Sequence, residues 1–284
     1  MKHISISQIF TYIQCPEHYL FRYVLMIKIP PKKAAINGKS IHQATAEYYK
    51  YKKENNQDLS LMDYKNLYYE KLKQNLEEYK KELEETSWLI DKNYLEKENE
   101  INEKNVEKIG LEGIGIYYKN EAKNRKMKEI EKELRLQTNL GIDLLGYVDF
   151  INETDDIYEL KTSSRTPNLQ ELEKDPQLNY YYMLYKNISN KNNVDFEKTF
   201  IILTKMPKLV KFRINSSQFV VKEDILLYYI SNIIKAINNN IWYCIHKADD
   251  WVCSKNWCGY YKLHQELREK GLDWIKEKYA KNLI

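Results

Sequence analysis

Long apolar runs are absent from this 284-residue chain. None approaches the about 18 to 20 consecutive apolar residues that a membrane-spanning helix needs. The first residues, MKHISISQIFTYIQCPEHYLFRYV, do not form a signal peptide, because polar and charged residues interrupt the apolar ones and no small-residue cleavage site follows. The expectation is a cytoplasmic protein without a membrane partner. Glycine and proline are scarce, eight and six residues, and do not cluster, so no Gly/Ser-rich or Pro-rich linker divides the chain. Internal repeats are absent. So is the phosphate-cradling motif G-x-x-x-x-G-K-[ST], which excludes a nucleotide-driven motor of that type. Only four cysteines occur, Cys15, Cys244, Cys253 and Cys258. In a reducing compartment these are buried thiols or metal ligands rather than disulfides.

What is present fits one large globular domain or two small ones: 43% hydrophobic and 30% charged residues. The net charge of +4 permits a nucleic-acid partner without demanding one. The 25 tyrosines accompany an abundance of Lys, Asn and Ile, and codon bias accounts for that excess more simply than base stacking does.

Ser7 can cap a helix running to about Gln14, and Cys15-Pro16 interrupts it before a second helical stretch with Tyr19, Phe21 and Tyr23. Asn37 reads as the cap of a helix beginning near Gly38, with His42, Ala46 and Tyr49 along one side. From about Ser60 to Lys123 the pattern is helical and strongly charged. Near residue 129 it changes to short alternating runs typical of strands, EIEKELRLQT, IDLLGYVDFI and DIYELKTS. Asp175-Pro176 places proline at a first helical position. KTFIILTK and LVKFRINS read as a strand pair, a helix spans about Lys222 to Trp242, and a charged helix ends the tail.

The stretch GYVDFINETDDIYELKTSSR, residues 146 to 165, holds the chemistry. Read as a hairpin with Ile151 opposite Ile157, it sets Asp149 against Glu159 and Tyr147 against Lys161. Opposed side chains lie roughly 4.5 to 5.5 Å apart at Cβ, where two like charges destabilise a sheet unless a cation sits between them. Hard oxygen donors suit Mg²⁺ or Mn²⁺, and the Leu160 backbone carbonyl is a further candidate ligand. Lys161 beside them can orient a water or stabilise charge growing on a phosphate. Spacing by itself favours a plainer reading, an exposed hairpin with ordinary surface charges.

Five islands in order decide between them. GYVD and ELKT resemble the two acidic motifs of the PD-(D/E)XK nuclease superfamily, and QLNYY resembles the Q-x-x-x-Y signature of its RecB-like exonucleases. GKSIH resembles their upstream G-x-x-x-H helix, and SISQIFTYIQCPEHYLFRYV their opening segment. Val148 stands where the superfamily's name places proline. The resemblance implies an α/β (α+β) fold: a restriction-endonuclease-like core with a small mixed sheet flanked by helices. It further implies one nuclease domain over 1–284, with a helical insertion at about 55–128 and a Cys-containing segment at about 244–284. His42, Asp149, Glu159 and the Leu160 carbonyl would hold Mg²⁺ or Mn²⁺. Lys161 would be catalytic, and Gln177 and Tyr181 would act from one helix face beside the site.

Some relatives carry an iron–sulfur cluster stapling the chain ends. By resemblance Cys15, Cys253, Cys258 and, six residues after the last, His264 are candidate ligands, with Cys244 as a substitute. Zinc and metal-free buried thiols remain alternatives. The implied activity is metal-dependent DNA exonuclease action on ends or single strands in recombination, repair or mobile-element processing. A structure- or site-specific endonuclease and a non-cutting DNA-binding subunit are the alternatives. The implied partners are DNA and a helicase, recombinase or adaptation protein.

Overall fold

The computed structural model describes residues 3–139, 141–168, 174–189, 191–219, 221–244 and 251–280. Its strands are β1 (His3–Ser5), β2 (Met127–Leu136), β3 (Asp143–Asn152), β4 (Ile157–Ser163), β5 (Asp195–Ile202) and β6 (Lys208–Asn215). The helices used below are α1 (Ile6–Gln14), α2 (Pro16–Tyr19), α3 (Lys33–Asn55), α4 (Leu61–Thr86), α5 (Lys92–Asn99), α6 (Glu103–Asn120), α7 (Pro176–Ser189), α8 (Glu223–Asn238), α9 (Tyr261–Lys270) and α10 (Leu272–Ala280). No helix among the described residues is long and apolar enough to cross a membrane.

The chain folds into two compact units interleaved in sequence. The first comprises Met1–Ile6, Ala34–Asn75 and Glu103–Tyr229; the second comprises Ser7–Lys33, Leu76–Asn102 and Ile230–Ile284. The charged helical stretch at 55–128 is therefore divided between them, and its inner faces belong to their cores.

The first unit is a mixed α/β structure around a six-stranded sheet. β2 pairs antiparallel along one edge of β3. The other edge of β3 is shared: β1 runs parallel to its start, and β4 pairs antiparallel only at Phe150–Tyr158 and Ile151–Ile157. β5 lies parallel to β4, and β6 closes the sheet as a hairpin with β5. The Ile151–Ile157 register is the one the alternation predicts. β1 went unread, since three residues are too short to show a period.

Tyrosine does much of the packing in this unit. Tyr48, Tyr49, Tyr64, Tyr68, Tyr117, Tyr158 and Tyr180 are essentially inaccessible. A buried hydroxyl needs a partner. Tyr49 and Tyr117 share one at 2.8 Å, Tyr158 donates to Tyr117 at 3.1 Å, and Tyr64 shares one with Thr45 at 2.7 Å.

Asn37 is not the expected cap. The helix starts four residues earlier, at Lys33. Asn37 is buried inside it, donates to the Val106 carbonyl at 3.2 Å and accepts from Tyr68 at 2.9 Å. Those partners lie on α6 and α4, so a residue type that favours caps is used here for tertiary bonding. Gly110 of α6 makes the approach feasible, because a Cβ there would sit 1.8 Å from the Tyr68 hydroxyl. Gly110→Ala is expected to destabilise this unit by about 1–3 kcal/mol through overpacking. Gly115→Ala, whose Cβ would meet only Lys65 at 3.6 Å, is expected to stabilise by roughly 0.5–1 kcal/mol through helix propensity. Urea denaturation of the two variants separates these signs; equal stabilities would contradict the packing described.

In the second unit, Leu20, Phe21, Leu25 and Ile27 join Leu89, Ile90, Tyr94, Tyr260, Leu263, Ile275 and Tyr279 in one core. The Tyr260 hydroxyl donates to the Ile27 carbonyl at 2.8 Å. The last charged stretch forms α9 and α10 rather than one helix. Gly271, at φ +83°, breaks it in a conformation that favours glycine.

Candidate active site

The sheet opens where the acids sit. Pairing between β3 and β4 stops at Phe150–Tyr158. One step further, the Leu160 N–H donates to Asp149 Oδ2 at 2.8 Å and the Asp149 N–H donates to Glu159 Oε1 at 3.1 Å. Two carboxylates have replaced the ladder, so the expected facing of Tyr147 and Lys161 does not form. Tyr147 instead donates to Glu133 at 2.7 Å on β2. In an extended residue the N–H and C=O point to the same edge. The Leu160 carbonyl therefore faces the β3 side, towards Asp149.

His42 comes from α3, with Nδ1 3.6 Å from Asp149 Oδ2. Lys161 Nζ lies 3.1 Å from Glu159 Oε2. Glu159 is 1% exposed and Lys161 30%, so the acid is sealed in while the lysine side chain is partly open to solvent. Glu159 Oε2 is buried without a well-formed hydrogen bond. α7 closes the site from another side. Asp175 caps it by accepting from the Gln177 N–H at 2.9 Å, with Pro176 in the first turn as expected. Gln177 Nε2 donates to the Tyr181 hydroxyl at 2.9 Å. Gly146 lets this helix approach β3, since a Cβ there would lie 3.0 Å from Leu184 and 3.1 Å from Tyr181.

The electrostatics divide the two acids. Burial works hardest against ionisation of Asp149, but Lys161, His42 and the Leu160 N–H outweigh it and hold the carboxyl below the usual carboxylate range. For Glu159 burial dominates and the neighbouring Asp149 charge adds to it, so its carboxyl is raised despite Lys161. Burial opposes the charge on Lys161, yet Glu159 and Asp149 win and raise the ammonium. Burial also raises the Tyr181 phenol. Two acids and one cation leave a net negative charge, and the donor set is carboxylate, carboxylate and imidazole. That chemistry, with a buried Glu159 Oε2 whose one close partner is the Lys161 ammonium, fits a small divalent cation. Among the described residues no three His, Cys, Asp or Glu side chains enclose a metal ion as they stand. The carboxylates are turned onto the chain's own N–H groups and Lys161.

The cysteines belong to the second unit. Cys15 precedes α2, and Cys244 Sγ lies 3.9 Å from Cys253 Sγ. Burial pushes the Cys15 thiol up to about 12, with Cys244 and Cys258 adding to the effect. Burial likewise raises Cys253 to about 12 and raises Cys258. The four thiols thus lie within electrostatic reach of one another. His264 has Nδ1 2.5 Å from Glu17 and its ring edge-on to Phe21. The Glu17–His264 pair spans 247 residues and leaves no local pattern in the sequence.

The crystal structure of a "Putative exonuclease" from Eubacterium rectale superposes with a TM-score of 0.56 over 88% of this chain and 86% of that one, at 9% identity. Identity so low shows a shared fold and nothing finer. The crystal structure of SSO0001 covers 41% of this chain and 56% of that one, at 21% identity and a TM-score of 0.29. No curated protein matches the chain. The family model of the PD-(D/E)XK nuclease superfamily matches residues 3–263, spanning all five islands singled out in the sequence, and the chain belongs to that superfamily.

Proposed function

We propose that this nuclease is a metal-dependent DNA exonuclease that hydrolyses phosphodiester bonds at DNA ends or on single strands. The observation that carries the reading is the replacement of the β3–β4 ladder by two carboxylates beside Lys161 and His42. Asp149, Glu159, the Leu160 carbonyl and His42 would hold Mg²⁺ or Mn²⁺. When bound, such an ion lowers the pKa of a water and offsets charge at the leaving oxygen. Lys161, fixed by Glu159, would orient the attacking water and stabilise negative charge developing on the phosphate. Asp149, kept ionised, stays an acceptor throughout. Gln177 and Tyr181, fixed to each other, would position the strand.

The RecB-like motifs support exonuclease over endonuclease action, and the fold is shared with a protein described as a "Putative exonuclease". Any nucleotide-driven unwinding would come from a partner helicase, with a recombinase or adaptation protein as the other partner class. The four thiols stand apart from this chemistry. A cluster or zinc on Cys15, Cys253 and Cys258, with Cys244 or His264, would be structural.

End-labelled linear duplexes, single strands and covalently closed circles, each with Mg²⁺, Mn²⁺ or EDTA, test the proposal. Linear substrates are expected to be degraded from their ends, circles to stay intact, and EDTA to stop all cutting. Nicked circles would favour an endonuclease. Retardation without cleavage would favour a binding subunit.

A further inference from the structure

β4 and β5 run parallel, with Lys161 opposite Phe200 and Ser163 opposite Ile202, so their C-terminal ends lie side by side. The Leu203 N–H ties them by donating to the Ser163 carbonyl at 2.8 Å. Two chain segments leave these ends: Ser164–Asn168 beyond β4, and the β5–β6 connection from Leu203 to Pro207. Neither contains an acidic residue, nor does β6. Arg165, Lys205 and Lys208 are exposed there and have no acidic partner among the described residues. These two segments and β6 form a stretch whose own charges are all positive.

At its centre stands Met206, 84% exposed. A lone exposed apolar residue means little by itself. This one is held in place. The Thr204 N–H donates to the Ile202 carbonyl at 3.2 Å, and the Thr204 hydroxyl donates to the Met206 carbonyl at 2.9 Å. Pro207 restricts Met206 to extended conformations. The base is wedged against α6, where a Cβ on Gly113 would come within 3.0 Å of Ile201 and Leu203. A braced tip therefore displays an apolar side chain between cations. At about 3.3 Å per residue, the tip lies roughly 10–15 Å beyond Lys161. That is about three or four nucleotide steps of roughly 3.4 Å.

Resting on the nuclease reading, we infer that the β5–β6 tip is a strand-separating wedge for duplex ends. Met206 and Pro207 press on the terminal base pair, while Arg165, Lys205 and Lys208 hold the phosphates of the parted strands. Apolar wedges of Met and Pro are a general device for unstacking bases. Lysine and arginine around one supply affinity without sequence preference.

The test uses the full-length protein and a blunt duplex with 2-aminopurine at the penultimate position, first in EDTA. Wild type is expected to raise the fluorescence several-fold on binding; Met206→Ala is expected to bind without that rise, and Met206→Leu to restore it. With Mg²⁺ or Mn²⁺, Met206→Ala should cut single strands and pre-forked ends at wild-type rates but blunt ends about 10-fold more slowly. Lys205→Ala with Lys208→Ala should weaken binding to all substrates alike and flatten its salt dependence. No fluorescence rise in wild type, or an unchanged rise and an unchanged blunt-to-forked ratio in Met206→Ala, would overturn the wedge. Failure of wild type to cut any substrate would instead remove the nuclease reading, with the fluorescence in EDTA still judging the wedge.

Discussion

Lys161→Ala is expected to lower DNA cleavage by about 10²- to 10⁴-fold while leaving DNA binding within a few-fold of wild type. The ammonium lies 3.1 Å from Glu159 Oε2, on a strand, beside a carboxylate kept ionised partly by that same charge. Among the described residues no other lysine or arginine pairs with Asp149 or Glu159, so no neighbouring cation takes over. A group that acts only on charge developing in the transition state changes the rate of the chemical step, not the ground-state affinity. Single-turnover rates at saturating enzyme give the first quantity and filter binding in EDTA the second. Circular dichroism confirms the fold of the variant. Activity within a few-fold of wild type would remove Lys161 from the chemistry and with it the assignment of the site.

The second large effect is a stability change of opposite sign to the loss of function. Without a cation, Asp149, Glu159 and Lys161 carry two negative charges and one positive, with Glu159 sealed from water. Burial and the Asp149 charge both disfavour the ionised Glu159. Glu159→Gln removes the excess charge, and its amide oxygen can still accept from the Asp149 N–H. Lys161 keeps Asp149 as a counter-charge. The metal-free variant is therefore expected to be more stable by roughly 1 kcal/mol, or about 2–4 °C in Tm for a chain of this size. Cleavage should be abolished. The trade follows from a site that stores like charge to receive a cation.

Much of this site was legible in the sequence because strands impose a period of two and hairpins a register. Ile151 opposite Ile157 follows from alternation around the NETDD turn, and that register brings Asp149 and Glu159 level. Asp175-Pro176 announced the helix that carries Gln177 and Tyr181. What could not be read was decided by distant partners. Periodicity cannot show that carboxylates will displace the ladder at Asp149 and Leu160, because that depends on side chains competing for backbone N–H groups. Asn37 followed by glycine looks like a cap, yet Tyr68 and Val106 recruit it into a helix interior. Glu17 pairs with His264 from 247 residues away, which no local pattern announces. Gly271 splits the final helix through a backbone angle that charge patterning does not reveal.

Calorimetric titration of Mn²⁺ into metal-free wild type and Glu159→Gln reaches the central claim most directly. Wild type should take up the ion saturably, gain thermal stability as it does so, and overtake the variant. Glu159→Gln should show little uptake and no gain. Equal binding by both proteins, or none by wild type, would contradict a site built from Asp149 and Glu159 to hold a divalent cation.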